Sequence, residues 1–200
     1  MKMNAIETAL MNNPVRAAIQ RHYEAPLLER LGGRTPGERV LEVGCGRGVG
    51  TEIILERFGA AHVTAFDLDP AMVQRARRRL RRHLPGRVAL SVGDVTSIDT
   101  PDAEFDAVFD FGIIHHVPDW RTALGEIARV LRPGGRFYFE EVTRHALQRW
   151  SYRTFLLHPT HDRFSGEEFA AGCTVAGLDV DGRSVERFFG DFIFGVATRH

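Results

Sequence analysis

"VLEVGCGRGVG", residues 40–50, sets Gly44, Gly46, Gly48 and Gly50 at alternate positions behind an apolar run that ends in Glu42-Val43. Glycine loses more backbone freedom on folding than any other residue, so such a cluster has a cost that something must offset. A tight turn is one reason; a backbone that a ligand must approach closely is the other. The residues before the loop read as a strand and those after it as a helix. At a strand-to-helix junction the backbone amides face outward, where nucleotide cofactors of several kinds bind.

The glycine spacing narrows the choice. A dinucleotide fingerprint, G-x-G-x-x-G, needs its third glycine at position 49 if it starts at Gly44, or at 51 if it starts at Gly46. Those positions hold Val49 and Thr51, so both registers fail. A phosphate-binding Walker loop fails too, because no Gly-Lys-Ser/Thr follows. What remains is an acid, Glu42, two residues ahead of Gly-x-Gly-x-Gly.

Outward from the loop, strand-like runs near 39–44, 61–67, 87–92, 105–111 and 136–142 alternate with helical patterns near 49–58, 70–84 and 119–131. That alternation predicts a parallel sheet with helices on both faces. Asp69-Pro70 supplies an N-cap and a first-turn proline, Asp119 a second cap, and Ser165 with Glu168 a capping box for a helix over 165–177. Residues 178–188 and 191–198 read as two strands meeting at "FFGDF" with no helix between them, an antiparallel hairpin at the sheet edge. The segment 1–31 reads as one or two helices with Pro14 near a start, and 143–164 is the longest irregular connection.

Bulk properties bound the partners. The 200 residues suffice for one domain with a full core. They carry 26 acidic and 26 basic side chains, so no net charge argues for nucleic acid or a membrane. No apolar stretch is long enough to span a bilayer, and the first residues lack the apolar core of a signal peptide, which leads to the expectation of a reducing cytoplasm. Cys45 and Cys173 make neither a disulfide framework nor a metal-ligand spacing. Oligomeric state is not written in the pattern.

The pattern of acid and glycines resembles the class I S-adenosylmethionine-dependent methyltransferases, in particular their small type 11 domains. The likeness continues through "VTAFDLDPAMVQRAR" (63–77), "SVGDVTSI" (91–98) and "FDAVFDFGIIHHVPDWRTALGEIARVLRPGGRFYF" (105–139). It covers 38–142 closely and 165–198 in outline. The resemblance implies a Rossmann-like, doubly wound α/β sheet of seven strands, mostly parallel, with an antiparallel C-terminal strand. It divides residues 1–200, taken as a single domain, into an N-terminal helical cap (1–31), a cofactor-binding core (38–142), a segment placed as a substrate lid (143–164) and a terminal helix and hairpin (165–200).

The cofactor so implied is S-adenosylmethionine. The resemblance places Glu42 near its methionine end, with Gly44, Cys45, Gly46 and Gly48 beneath it. Asp67 falls on the ribose hydroxyls, Leu68 and Val95 beside the adenine, and Asp94 on the adenine amino group; Asp110 joins the set at the end of the fourth strand. The types fit, because this cofactor carries a sulfonium and an ammonium but no phosphate. A carboxylate such as Asp67 can take both ribose hydroxyls. The expected partner is a small-molecule methyl acceptor, with no metal.

A general base is needed only where the acceptor must lose a proton. Asp110, His115, Glu140, Glu141, His158 and His161 are candidates, and the residues do not rank them. "RARRRLRRH" (75–83) holds six arginines, but Met72, Val73, Ala76, Leu80 and Leu84 share one helical face, so the arginines read as its solvated side rather than a nucleic-acid site. Trp150, Tyr152, Phe155 and Phe164 lend 143–164 its aromatic character. Two other readings stay open: a non-catalytic module that keeps the fold, and a nicotinamide-dependent oxidoreductase, which the glycine spacing opposes.

Overall fold

The computed structural model describes residues 13–84, 86–148 and 163–200. Five parallel strands form the centre of the sheet: β1 (Arg39–Val43), β2 (His62–Asp67), β3 (Val88–Val92), β4 (Phe105–Phe111) and β5 (Leu131–Val142). Then come the short β6 (Leu178–Asp179), β7 (Ser184–Arg187) and the long β8 (Phe192–Arg199). Their order across the sheet is β3-β2-β1-β4-β5-β8-β6, with β7 also paired to β8. β8 runs antiparallel to β5, and β6 and β7 occupy one outer position as two pieces. The seven-position, mostly parallel sheet expected from the sequence is therefore present.

Alternation along the strands separates two cores. Leu41, Val43, Val108, Phe137 and Phe139 face α4 (Trp120–Val130) and α6 (Gly166–Val175). Val40, Ala65, Phe109, Tyr138 and Phe194 face the helices of the other layer. Those are α1, α2 (Val49–Ile53, continued by Ile54–Phe58) and α3 (Pro70–Arg79). α1 runs as Pro14–Ile19, a wide π-type turn Gln20–Glu24, and Ala25–Gly32. The wide turn falls just ahead of Pro26, which has no N–H for an ordinary helical bond. A single turn, α5 (Arg144–Leu147), follows β5.

The caps fall where the sequence puts them. Asp69 accepts from the Ala71 amide, Asp119 from Thr122, and Ser165 and Glu168 form the reciprocal box. Two spans differ from expectation. α3 ends at Arg79 and not near 84: Arg77/Arg81 and Arg78/Arg82 would set like charges four apart in a longer helix, and the chain instead closes a turn from His83 to the Leu80 carbonyl. The strand expected over 178–188 is broken, because Asp181 and Gly182 adopt positive φ in a turn between β6 and β7.

β1 lies between β2 and β4, where the strand order reverses. That reversal opens a crevice beyond the carboxyl ends of the parallel strands, and the glycine loop sits at its mouth.

Candidate active site

A cavity of 410 Å³ fills this crevice. Its walls come from the ends of β1, β2, β3 and β4 and from the first half of α1. Glu42, Gly44, Cys45, Gly46, Asp67, Leu68, Asp94 and Val95 all line it. Eight residues expected at a cofactor site thus converge from three strand ends.

The glycines divide the work. A side chain on Gly44 would start 2.5 Å from Ile113 Cγ2, and one on Gly48 2.9 Å from Leu80 Cδ1. One on Gly50 would overlap Glu42 Oε1. Those three allow the chain to pack on itself. Gly46 is different: its φ is +51°, it lines the cavity, and among the described residues, its chain neighbours aside, no atom lies within 4 Å of where a Cβ would stand. That gap at the cavity wall is space a ligand can take. Gly48, placed under the cofactor by the resemblance, packs instead on Leu80 and is absent from the cavity wall.

The acids are held before any ligand arrives. Asp67 Oδ2 accepts from the Gly46 amide and Oδ1 from the Asp69 amide, both at 2.8 Å. Each oxygen keeps a second lone pair for a ribose hydroxyl. Asp94 Oδ1 accepts from the amide and the hydroxyl of Thr96, so Asp94 is both a turn former and a wall residue. Glu42 is buried and accepts from the Thr51 hydroxyl. Burial pushes its carboxyl up to about 8, against the pull of Thr51, and the Asp67 and Asp110 charges add to the rise. A cationic ligand would repay the ionisation of such a group, and S-adenosylmethionine offers two positive charges, so the residues fit it. Burial also raises the Cys45 thiol well above its ordinary value, which makes it a filler rather than a nucleophile.

The other end of the crevice holds the remaining candidates. Asp110, Glu140 and Glu141 are buried but do not line the cavity. Asp110 Oδ1 accepts from Ile113 N at 2.9 Å, and burial together with the Glu141 carboxyl drives its pKa well up. Glu141 accepts from the amides of Ile114 and His115, and its Oε2 lies 2.6 Å from His115 Nδ1. Burial brings Glu141 up to about 7 and His115 down to about 3. The His115 ring is turned inward, and the neighbour the cavity reaches is His116, whose ring lies 4.1 Å from that of His115. Asp110, His115, Glu140 and Glu141, the base candidates from the sequence that lie among the described residues, are thus drawn inside by the packing under β4 and β5 and do not line the cavity. His158, His161, Trp150, Tyr152 and Phe155 lie outside the described residues. Phe164 packs on Trp120 and Phe169 in the core.

Arg16 and Gln20 of α1 also line the cavity and were not singled out from the sequence. The signal was there: Arg16, Gln20 and Glu24 recur at four-residue spacing, a polar stripe ahead of Leu27 and Leu28. Arg16 pairs with Glu24 at 2.5 Å and with Glu140 at 3.2 Å. Burial alone would lower its pKa; the two carboxylates more than reverse that. Glu24 is pushed up to about 9, by burial first and then by the Glu140 charge.

Residues 40–135 match the model of a methyltransferase domain family. The fold and this core are those of a class I S-adenosylmethionine-dependent methyltransferase. S-adenosylmethionine is the cofactor that goes with it. Among similar proteins, the malonyl-[acyl-carrier protein] O-methyltransferase of Serratia marcescens is 34% identical over 145 residues, 72% of this chain and 54% of that protein. A fatty-acid O-methyltransferase of Mycolicibacterium smegmatis is 37% identical over 115 residues, 57% of this chain and 41% of that one. The chain thus spans about half the length of the curated relatives it matches. A solved S-adenosylmethionine-dependent methyltransferase from Aquifex aeolicus superposes with a TM-score of 0.76 at 23% identity, covering 98% of both chains.

Proposed function

We propose that the protein methylates a small-molecule acceptor at an oxygen nucleophile. The observation that carries this reading is the convergence of Glu42, Gly46, Asp67 and Asp94 on one cavity that also extends to Arg16, Gln20 and His116. When bound, S-adenosylmethionine supplies an electrophilic methyl group on its sulfonium. Asp67 and Asp94 hold the adenosine end, Glu42 and the glycine loop the methionine end. The chain then has to place the acceptor in line and exclude water. Ala17, Phe111, Ile113, Val117 and Pro118 give that end of the cavity an apolar wall suited to an acceptor with an apolar part. The relatives that methylate a malonyl carrier protein and fatty acids support an oxygen nucleophile.

His116 is the imidazole at the cavity wall, and it takes the proton when the nucleophile is a hydroxyl. His115, neutral and fixed against Glu141, positions it through the ring contact. A carboxylate acceptor needs no base. The test is formation of S-adenosylhomocysteine from S-adenosylmethionine with a panel of hydroxylated and carboxylic small molecules. Turnover that needs one acceptor class supports the reading. For a hydroxyl acceptor, His116→Ala should lower kcat about 10²-fold or more. Tight cofactor binding with no turnover on any oxygen acceptor would overturn it.

A further inference from the structure

The arginine-rich run beyond the middle of α3 does more than face solvent. Arg75, Arg78, Arg79, Arg81 and Arg82 converge with Arg47 of the glycine loop on a second cleft of 620 Å³. His83, Glu52 and Glu56 complete its walls, so every described residue that lines it is charged or titratable. Both acids are already engaged. Glu52 Oε2 accepts from Arg21 at 2.6 Å and from Arg79 at 2.8 Å, and Glu56 accepts from Arg21 at 3.1 Å. Arg75, Arg78, Arg81 and Arg82 have no carboxylate partner among the described residues.

The chain as a whole is neutral. Six guanidiniums against two carboxylates on one concave surface are therefore a local excess, and a cleft lined by one sign of charge concentrates its field. The crowding is felt within the site: burial, then Arg79 and Arg75, hold the Arg47 guanidinium below its ordinary pKa. A solvated helix face would spread such charges over a convex surface; here loop and helix aim them into one space.

We propose that this cleft binds a small ligand carrying two or more phosphate groups. Guanidinium forks match phosphate oxygens in bidentate fashion, and several unpaired forks call for several anionic groups. No apolar residue is among the described residues that line it, so the walls do not suit an acyl chain. S-adenosylmethionine has no phosphate, so the ligand is distinct from the cofactor. It would sit beside the cofactor all the same, because Arg47 borders both cavities.

The experiment is calorimetric titration of the full chain with tripolyphosphate at two salt concentrations. The Arg78→Ala/Arg82→Ala double variant is run alongside, as is a single-stranded RNA oligomer at matched salt. Saturable binding of tripolyphosphate at one site, weakened at least about tenfold in the double variant, is expected from the loss of two charged donors. Arg78 and Arg82 are exposed and have no carboxylate partner among the described residues, so the melting temperature of the phosphate-free variant should stay unchanged, which shows that it is folded. No saturable binding, equal binding by the double variant, or tighter binding of the RNA than of tripolyphosphate would each overturn the proposal.

Discussion

Gly46 and Gly50 are the same residue type four positions apart, yet they answer to different masters. Gly50 leaves room for the Glu42 carboxyl, and Gly46 leaves open a space at the cavity wall that no described residue beyond its chain neighbours fills. Gly50→Ala should therefore cost about 1–3 kcal/mol of stability by overpacking, read by urea unfolding. Gly46→Ala should cost about 1–2 kcal/mol for its left-handed backbone but exert its main effect at the ligand, with S-adenosylhomocysteine affinity falling more than tenfold. Equal affinity in Gly46→Ala would mean that this glycine serves only the turn. Glu42 makes a second prediction at this scale. Its pKa in the fold, about 8, lies above that of an exposed glutamate, so the native state holds a proton that the unfolded chain releases. Its contribution to stability is full below about pH 4.5 and declines as pH rises through 8. A ligand bearing positive charge favours the ionised form, so S-adenosylmethionine affinity should rise between pH 6 and 9 while the stability of the free protein falls. Titrations in buffers of different ionisation enthalpy should show a proton released on binding; Glu42→Gln should abolish the release.

Elements were legible in the sequence wherever local chemistry and the global fold agree. Asp69-Pro70, Asp119 and the Ser165/Glu168 box mark helix starts that the structure keeps, and the alternation of Val40, Leu41, Glu42 and Val43 sets the faces of β1. Long-range pairing was not legible. Nothing local tells that Arg16 meets Glu140, or that His115 turns inward to Glu141 and leaves His116 at the wall, because those contacts join elements far apart in the chain. The β7–β8 turn is a place where sequence and backbone conflict. Phe188 and Phe189 stand at φ of +56° and +60° before Gly190 at +85°, and Phe189 is 95% exposed. Left-handed backbone suits asparagine far better than phenylalanine. Phe189→Asn should raise stability by about 0.5–1 kcal/mol, measured as a shift in the denaturant midpoint at unchanged slope. A loss would mean that the ring has packing the exposure does not reveal. Phe188 packs on Tyr23 and Phe192, so the same substitution there should destabilise.

At the scale of the molecule, α1 lies far in sequence from the sheet residues it closes over. Arg16 joins it to Glu140 at the end of β5, Arg21 to Glu52 and Glu56 of α2, and Arg47 donates to the Asn13 carbonyl at its start. The last two contacts are partly exposed and worth little each. In the first, Glu140 is buried, and removing the partner of a buried carboxylate is costly because the surviving charge has no water to turn to. Arg16→Met strips the cation from both Glu24 and Glu140. Burial and the Glu140 charge already push Glu24 up toward its neutral form, so it can answer the loss of Arg16 by taking up a proton. The expected cost is about 3–5 kcal/mol, read by chemical denaturation. If α1 opens locally to let water reach Glu140, less of the cost appears in global unfolding. Amide exchange should then rise in 14–24 ahead of the central strands. Replacing all three groups together, Arg16→Met with Glu24→Gln and Glu140→Gln, should recover most of the loss, since no charge is left stranded. A triple variant no more stable than Arg16→Met would show that the arginine acts by packing along its stem and not by charge.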